Sequence, residues 1–137
     1  MSDGREEFDR RERYHRWSLA AWMAKFRCAF RGWWLGSYSQ TSFGVHYVAA
    51  LAVIILAFTL KCEPWEWGLL ILCISSVMTA ELINSACEAL ARSISADFNP
   101  HLRDALDIAS GAVLVMSIGS AVIGCLIFLP KFIAIWQ

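Results

Sequence analysis

A chain of 137 residues has room for one small domain, and this one is 58% hydrophobic with only 18% charged residues. An average soluble domain is roughly 45–50% apolar and about 25% charged, so both bulk disorder and a solvated α/β enzyme are excluded. The net charge of zero conceals an asymmetry: residues 1–31 carry eight of the twelve Lys/Arg and five of the twelve acids. A nucleic-acid-binding domain with such a basic stretch would not also be this apolar, so the composition points to a membrane and to no nucleic-acid partner.

Residues 1–16, MSDGREEFDRRERYHR, are dense in charge and read as a flexible tail. With no apolar h-region in the first thirty residues, the N-terminus is expected to be retained on the cytoplasmic side. Residues 17–34 place Leu19, Trp22, Met23, Phe26 and Phe30 at helical spacing, with Lys25, Arg27 and Arg31 elsewhere on the wheel. That pattern predicts a cationic, aromatic amphipathic helix lying at a membrane surface. An ordinary amphipathic soluble helix is the alternative.

Three apolar segments follow, with spans expected at about 43–60, 65–90 and 104–129. The third contains 22 uninterrupted uncharged residues, Ile108–Leu129, enough at about 1.5 Å each to cross a hydrocarbon core of roughly 30 Å. Pro64 suits the first turn of the second span, Trp65 and Trp67 suit an interfacial belt, and Asn99-Pro100 reads as N-cap and N1 of the third. Pro130-Lys131 is expected to close that span. Arg92 and Arg103 join the basic N-terminus on one side, against Lys61 and Lys131 on the other. The expected topology is therefore N-terminus inside, C-terminus outside. The five cysteines show no CxxC pairing and no zinc spacing, and read as small buried hydrophobes.

The chemistry concentrates in Glu81-Leu-Ile-Asn84-Ser85-Ala-Cys-Glu88. Positions 81, 84, 85 and 88 share one helix face, with the two carboxylates about 10 Å apart along the axis. Glu81 follows a long uncharged run, and an acid near or within the membrane is by default a functional candidate. A helix emerging into water, with Glu81 paired to an arginine, is the structural alternative. Asp104, Asp107, Ser110 and Gly111 form a second polar face at the start of the last span. There, capping alone explains Asn99, and Arg103–Asp107 suits an i,i+4 ion pair. Two carboxylate faces beside a cationic helix suit divalent-metal and phosphate chemistry, with proton or ion transport as the competitor. The signatures GxxxxGK[ST], HRD and DFG are missing from the sequence. His15, His46 and His101 are scattered and read as surface or interfacial residues rather than ligands.

At these residues the chain resembles the small prokaryotic diacylglycerol kinase family, which also contains undecaprenol kinases. The likeness runs from about Lys25 to Lys131. It rests on Glu81–Glu88 against the family's ExxN[ST]AxE helix, on Asp107-Ile-Ala-Ser-Gly-Ala-Val-Leu114, and on Phe26-x-x-Ala29-x-x-Gly32. The resemblance implies an all-α membrane protein, a surface helix plus three spans forming one domain over 17–137, assembled as a homotrimer. It implies transfer of the γ-phosphate of MgATP to a lipid hydroxyl, first diacylglycerol and alternatively undecaprenol, in the prokaryotic plasma membrane. By the same resemblance Glu81 is the general base, and Glu88 with Gln40 belongs to Mg²⁺. Gln40, Glu88, Asp97, Phe98, Asn99 and Asp107 fall to the nucleotide, while Asn84 and Ser110 fall to the lipid. His46 and the Phe128–Lys131 ending lean toward the undecaprenol-kinase branch.

The departures from the family pattern are Leu106 for a lysine, Arg92 for an aspartate, Gln40 for a metal-binding glutamate and Asn99 for a histidine. Arg103, one turn before Asp107, is a displaced candidate for the missing cation. The competing reading is a non-catalytic or differently catalytic membrane protein that kept the scaffold and lost the full site.

Overall fold

The computed structural model describes residues 18–38, 41–94 and 99–135. The tail 1–16 and the candidate residues Gln40, Asp97 and Phe98 lie outside the described residues. Four helices follow one another: α1 (Leu19–Tyr38), α2 (Thr41–Thr59), α3 (Pro64–Ile94) and α4 (Pro100–Ile135). The described residues fall into two compact units, the first ending at Leu35 and the second beginning at Gly36.

In the first unit Ser18 stands at the N-cap of α1, its Oγ accepting from the Ala21 N–H at 3.2 Å. The apolar residues Leu19, Met23, Phe26 and Phe30 are exposed. The Lys25 ammonium lies 5.1 Å from the Trp22 ring centroid, a cation–π pairing that keeps charge and aromatic surface together.

The second unit holds three helices long and apolar enough to cross a membrane: Ser42–Thr59, Pro64–Ile94 and Pro100–Ile135. The chain is an all-α membrane protein. Helices α3 and α4 pack along each other most extensively, and α2 lies more lightly against both. A tight reverse turn joins α2 to α3. Lys61 adopts the left-handed conformation (φ 50°), the Cys62 N–H donates to the Ala57 carbonyl at 3.0 Å, and the Lys61 N–H donates to the Phe58 carbonyl at 3.3 Å. These two bonds form a Schellman motif, which satisfies carbonyls that the end of α2 leaves open. Below the turn Ala57, Leu70, Ile127 and Phe128 form a buried cluster, with Val53, Leu56, Trp67 and Ile123 packed on it. Phe58 meets Trp67 edge to face at 4.7 Å.

The start of α3 carries a capping box: Glu66 Oε2 accepts from the Glu63 N–H at 2.6 Å. The same oxygen lies 2.8 Å from Lys131 Nζ of α4, with the two side chains 8% and 22% exposed. This pair accounts for one departure from the sequence expectation. Helix α4 does not close at Pro130 but runs through it to Ile135. Proline interrupts an internal helical bond, yet a helix packed on a neighbour tolerates it, and Lys131 fastens the turn beyond Pro130 to α3. Helix α3 likewise runs to Ile94, past the expected end at 90.

Removing one member of a buried pair leaves the other uncompensated. Lys131→Met is therefore expected to destabilise the bundle, read as a lower unfolding midpoint in detergent. Adding Glu66→Gln should restore most of that loss, because the stranded carboxylate is then gone.

Candidate active site

On α3 the face expected from spacing is the face turned into the bundle. Glu81, Asn84 and Ser85 are buried, at 2%, 6% and 5% exposure, and the Glu88 side chain is 30% exposed. A polar chain runs along this face. Ser110 Oγ of α4 donates to Asn84 Oδ1 at 3.4 Å, Asn84 Nδ2 donates to Glu88 Oε1 at 3.2 Å, and Arg92 Nη1 donates to Glu88 Oε2 at 3.5 Å. The two polar faces recognised in the sequence thus meet through Ser110 and Asn84. Arg92, an apparent departure from the family pattern, supplies a cation to Glu88.

Glu81 stands differently. Its Oε2 lies 4.0 Å from His46 Nε2 of α2, the two side chains being 3% and 20% exposed. Its Oε1 is buried without a hydrogen-bond partner among the described residues, as are Ser85 Oγ and Ser117 Oγ. A buried carboxylate is costly unless paired, and the ionisable group facing it is a histidine rather than the arginine of the structural alternative. The sequence alone reads His46 as surface or interfacial. It instead faces the buried acid, because the antiparallel turn brings the start of α2 alongside the middle of α3. The signal that could have exposed it is that α2 contains no Asp, Glu, Lys or Arg, leaving His46 as the one side chain there that can carry a positive charge toward a facing carboxylate.

Beside His46 opens a cavity of about 400 Å³ between α2, α3 and α4. Val53, Leu70, Ile74, Val77 and Phe128 make much of its wall, and Ser117 and Ser120 interrupt it. Its lining suits hydrocarbon.

At the head of α4, the Asn99 side-chain oxygen accepts from the N–H groups of His101 at 3.0 Å and Leu102 at 3.4 Å. Asn99 is thus the N-cap, and its carboxamide oxygen is engaged there. Arg103 Nε and Asp107 Oδ2 are 3.9 Å apart, with both side chains mostly exposed. Such a pair contributes little to stability and is accessible to a solute from water. Among the described residues no three His, Cys, Asp or Glu side chains converge on a point that could hold a metal ion. The donor set around Glu88 suits a Mg²⁺ held by one or two carboxylates and otherwise by substrate phosphates, rather than an all-protein cage.

A three-span bundle with a buried, half-partnered carboxylate and a second carboxylate nearer water defines a membrane protein equipped for polar chemistry at the edge of the bilayer. The family described as prokaryotic diacylglycerol kinase matches residues 27–128, and the chain belongs to that family. It is 37% identical over 117 residues to the undecaprenol kinase of Bacillus subtilis, covering 85% of this chain and 95% of that protein. It is 29% identical over 125 residues to a diacylglycerol kinase of Synechocystis, covering 90% and 71%. To the diacylglycerol kinase of Escherichia coli K12 it is 29% identical over 94 residues, covering 69% and 77%.

Proposed function

We propose that the chain is a lipid kinase that transfers the γ-phosphate of MgATP to the hydroxyl of a membrane lipid. It works as a homotrimer in the prokaryotic plasma membrane, with its N-terminus cytoplasmic and α1 at the membrane surface. The observation that carries this reading is Glu81: a carboxylate 2% exposed, within a membrane span, one oxygen unpartnered, and neighbour to a histidine that lines an apolar cavity.

The chemistry balances on these residues. Glu81 accepts the proton of the lipid hydroxyl as its oxygen attacks the γ-phosphorus; the new O–P bond forms, the bridging β–γ O–P bond breaks, and ADP leaves. Phosphoryl transfer asks mainly for positioning and charge neutralisation. Glu88 with Gln40 would hold Mg²⁺ brought with ATP, and the ion would supply part of that neutralisation. Asn84 and Ser110, bonded to each other, orient the lipid head beside Glu81. Asp97, Phe98, Asn99 and Asp107 take the nucleotide, Asn99 through groups its capping role leaves open.

Leu106 stands where the family carries a lysine, and Arg103 supplies the replacement charge. Arg103→Ala is expected to raise KM for MgATP and lower kcat/KM by about tenfold, equivalent to roughly 1.4 kcal/mol. Unchanged kinetics in steady-state assays would exclude that role.

Diacylglycerol is the first acceptor. Undecaprenol is a second reading favoured by a specific observation, the alignment over 95% of the Bacillus undecaprenol kinase. Radiolabelled MgATP offered to the purified protein in mixed micelles, with each lipid separately, tests both. Label in one lipid identifies the acceptor. A folded trimer that labels neither marks a scaffold that has lost the reaction.

A further inference from the structure

We infer that His46 is a positioning residue for phosphate transfer: its imidazole fixes one oxygen of Glu81 so that the other meets the acceptor hydroxyl. The inference rests on the role of Glu81 proposed above, and it assigns a function to a residue that the motifs leave out.

The geometry has three parts. First, Glu81 is 2% exposed, and among the described residues the one ionisable group within ion-pair distance of it is His46, Nε2 to Oε2 at 4.0 Å. That is charge-pair range and longer than a direct hydrogen bond, as contacts of catalytic groups often are before substrate binds. Second, the two carboxylate oxygens are not equivalent. Oε2 faces the imidazole, while Oε1 is buried with no partner among the described residues. A carboxylate with one oxygen facing the imidazole and the other unpaired has a defined direction in which to accept a proton. Third, His46 lines the apolar cavity of about 400 Å³. It therefore sits between the base and a volume suited to hydrocarbon, where a lipid with its chain in the cavity would bring its hydroxyl.

The backbone supports this placement. The turn at Lys61 and Cys62 fixes the antiparallel register of α2 and α3, and His46 is the only histidine in a helix without Asp, Glu, Lys or Arg. Misplacing a reacting group by about 1 Å costs on the order of 10²-fold in rate, which sets the size of the expected effect.

The test compares wild type, His46→Leu, His46→Gln, Glu81→Gln and the double variant Glu81→Gln/His46→Leu in steady-state lipid phosphorylation. Unfolding midpoints in detergent are measured alongside. Leu removes the polar contact while filling the space; Gln keeps an N–H donor on a side chain of similar reach. His46→Leu should lower kcat about 10–100-fold with KM for MgATP unchanged, and His46→Gln should recover most of that loss. The double variant should be no slower than Glu81→Gln alone, because His46 acts only through Glu81. Wild-type kcat in His46→Leu would overturn the assignment. So would equal losses in the Leu and Gln variants, or losses that multiply in the double variant, which would mark a packing role. A wild-type chain that labels neither lipid would overturn the kinase reading and this one with it, whereas active wild type with an indifferent His46 overturns this one alone.

Discussion

Glu81→Gln is expected to lower lipid phosphorylation by about 10²–10⁴-fold, the usual contribution of a positioned general base. The substitution keeps the shape of the side chain and removes the group that accepts the proton. Because the carboxylate is buried at 2% exposure, neutralising it also removes a desolvation cost, so the unfolding midpoint in detergent should hold or rise while activity collapses. That opposition of signs separates a functional acid from a structural one. A buried acid whose task is to tie α3 to α2 would lose stability and activity together. Rate and melting curves on one preparation decide between them; a Gln variant that still phosphorylates lipid at the wild-type rate removes Glu81 as the base.

Glu88→Ala is expected to act at the other end of the same face. Glu88 accepts from Asn84 at 3.2 Å and from Arg92 at 3.5 Å, so its removal leaves an amide and a guanidinium without this acceptor, as well as removing the carboxylate proposed for Mg²⁺. The expected result is a loss of about 10²-fold or more in kcat/KM, the scale of losing one electrostatic element of a reaction centre, together with a higher Mg²⁺ requirement. Titrating Mg²⁺ at fixed ATP checks it. Partial rescue by raised Mg²⁺ would assign Glu88 to the metal and phosphates. A loss that does not respond to Mg²⁺ would assign it to holding Asn84 and Arg92.

How much of this was legible beforehand depended on whether a feature was local. Pro64 at N1 and the Asn99-Pro100 start are decided by neighbours along the chain, and α3 and α4 begin where those residues indicate. The shared face of Glu81, Asn84, Ser85 and Glu88 follows from helical periodicity, and that face turned inward. Two features depended on contact across helices. Pro130 reads as a terminator on its own, and only the Lys131–Glu66 pair explains why α4 passes through it. His46 reads as an isolated polar residue in an apolar run; its meaning comes from a carboxylate 35 positions away, brought close by the turn. Arg92, a departure when set beside the family pattern, became a partner of Glu88 once their one-turn spacing was realised in a helix.

The unequal lengths of the three spanning helices divide the reaction between two solvents. Helix α2, with 19 residues, is about 28 Å long, close to the thickness of the hydrocarbon layer. Helices α3 and α4, with 31 and 36 residues, reach about 46 and 54 Å and must overhang it. His46 lies five residues inside the start of α2, about 8 Å along the axis, and Glu81 lies level with it. Glu88 and Arg92 are about 10 and 16 Å further along α3, roughly level with the start of α2 and well past it. On the proposed reading, the bilayer boundary crosses this face between its two carboxylates. A greasy alcohol can be deprotonated without being lifted out of the lipid, and a polyanion can donate its phosphate without being dragged into it.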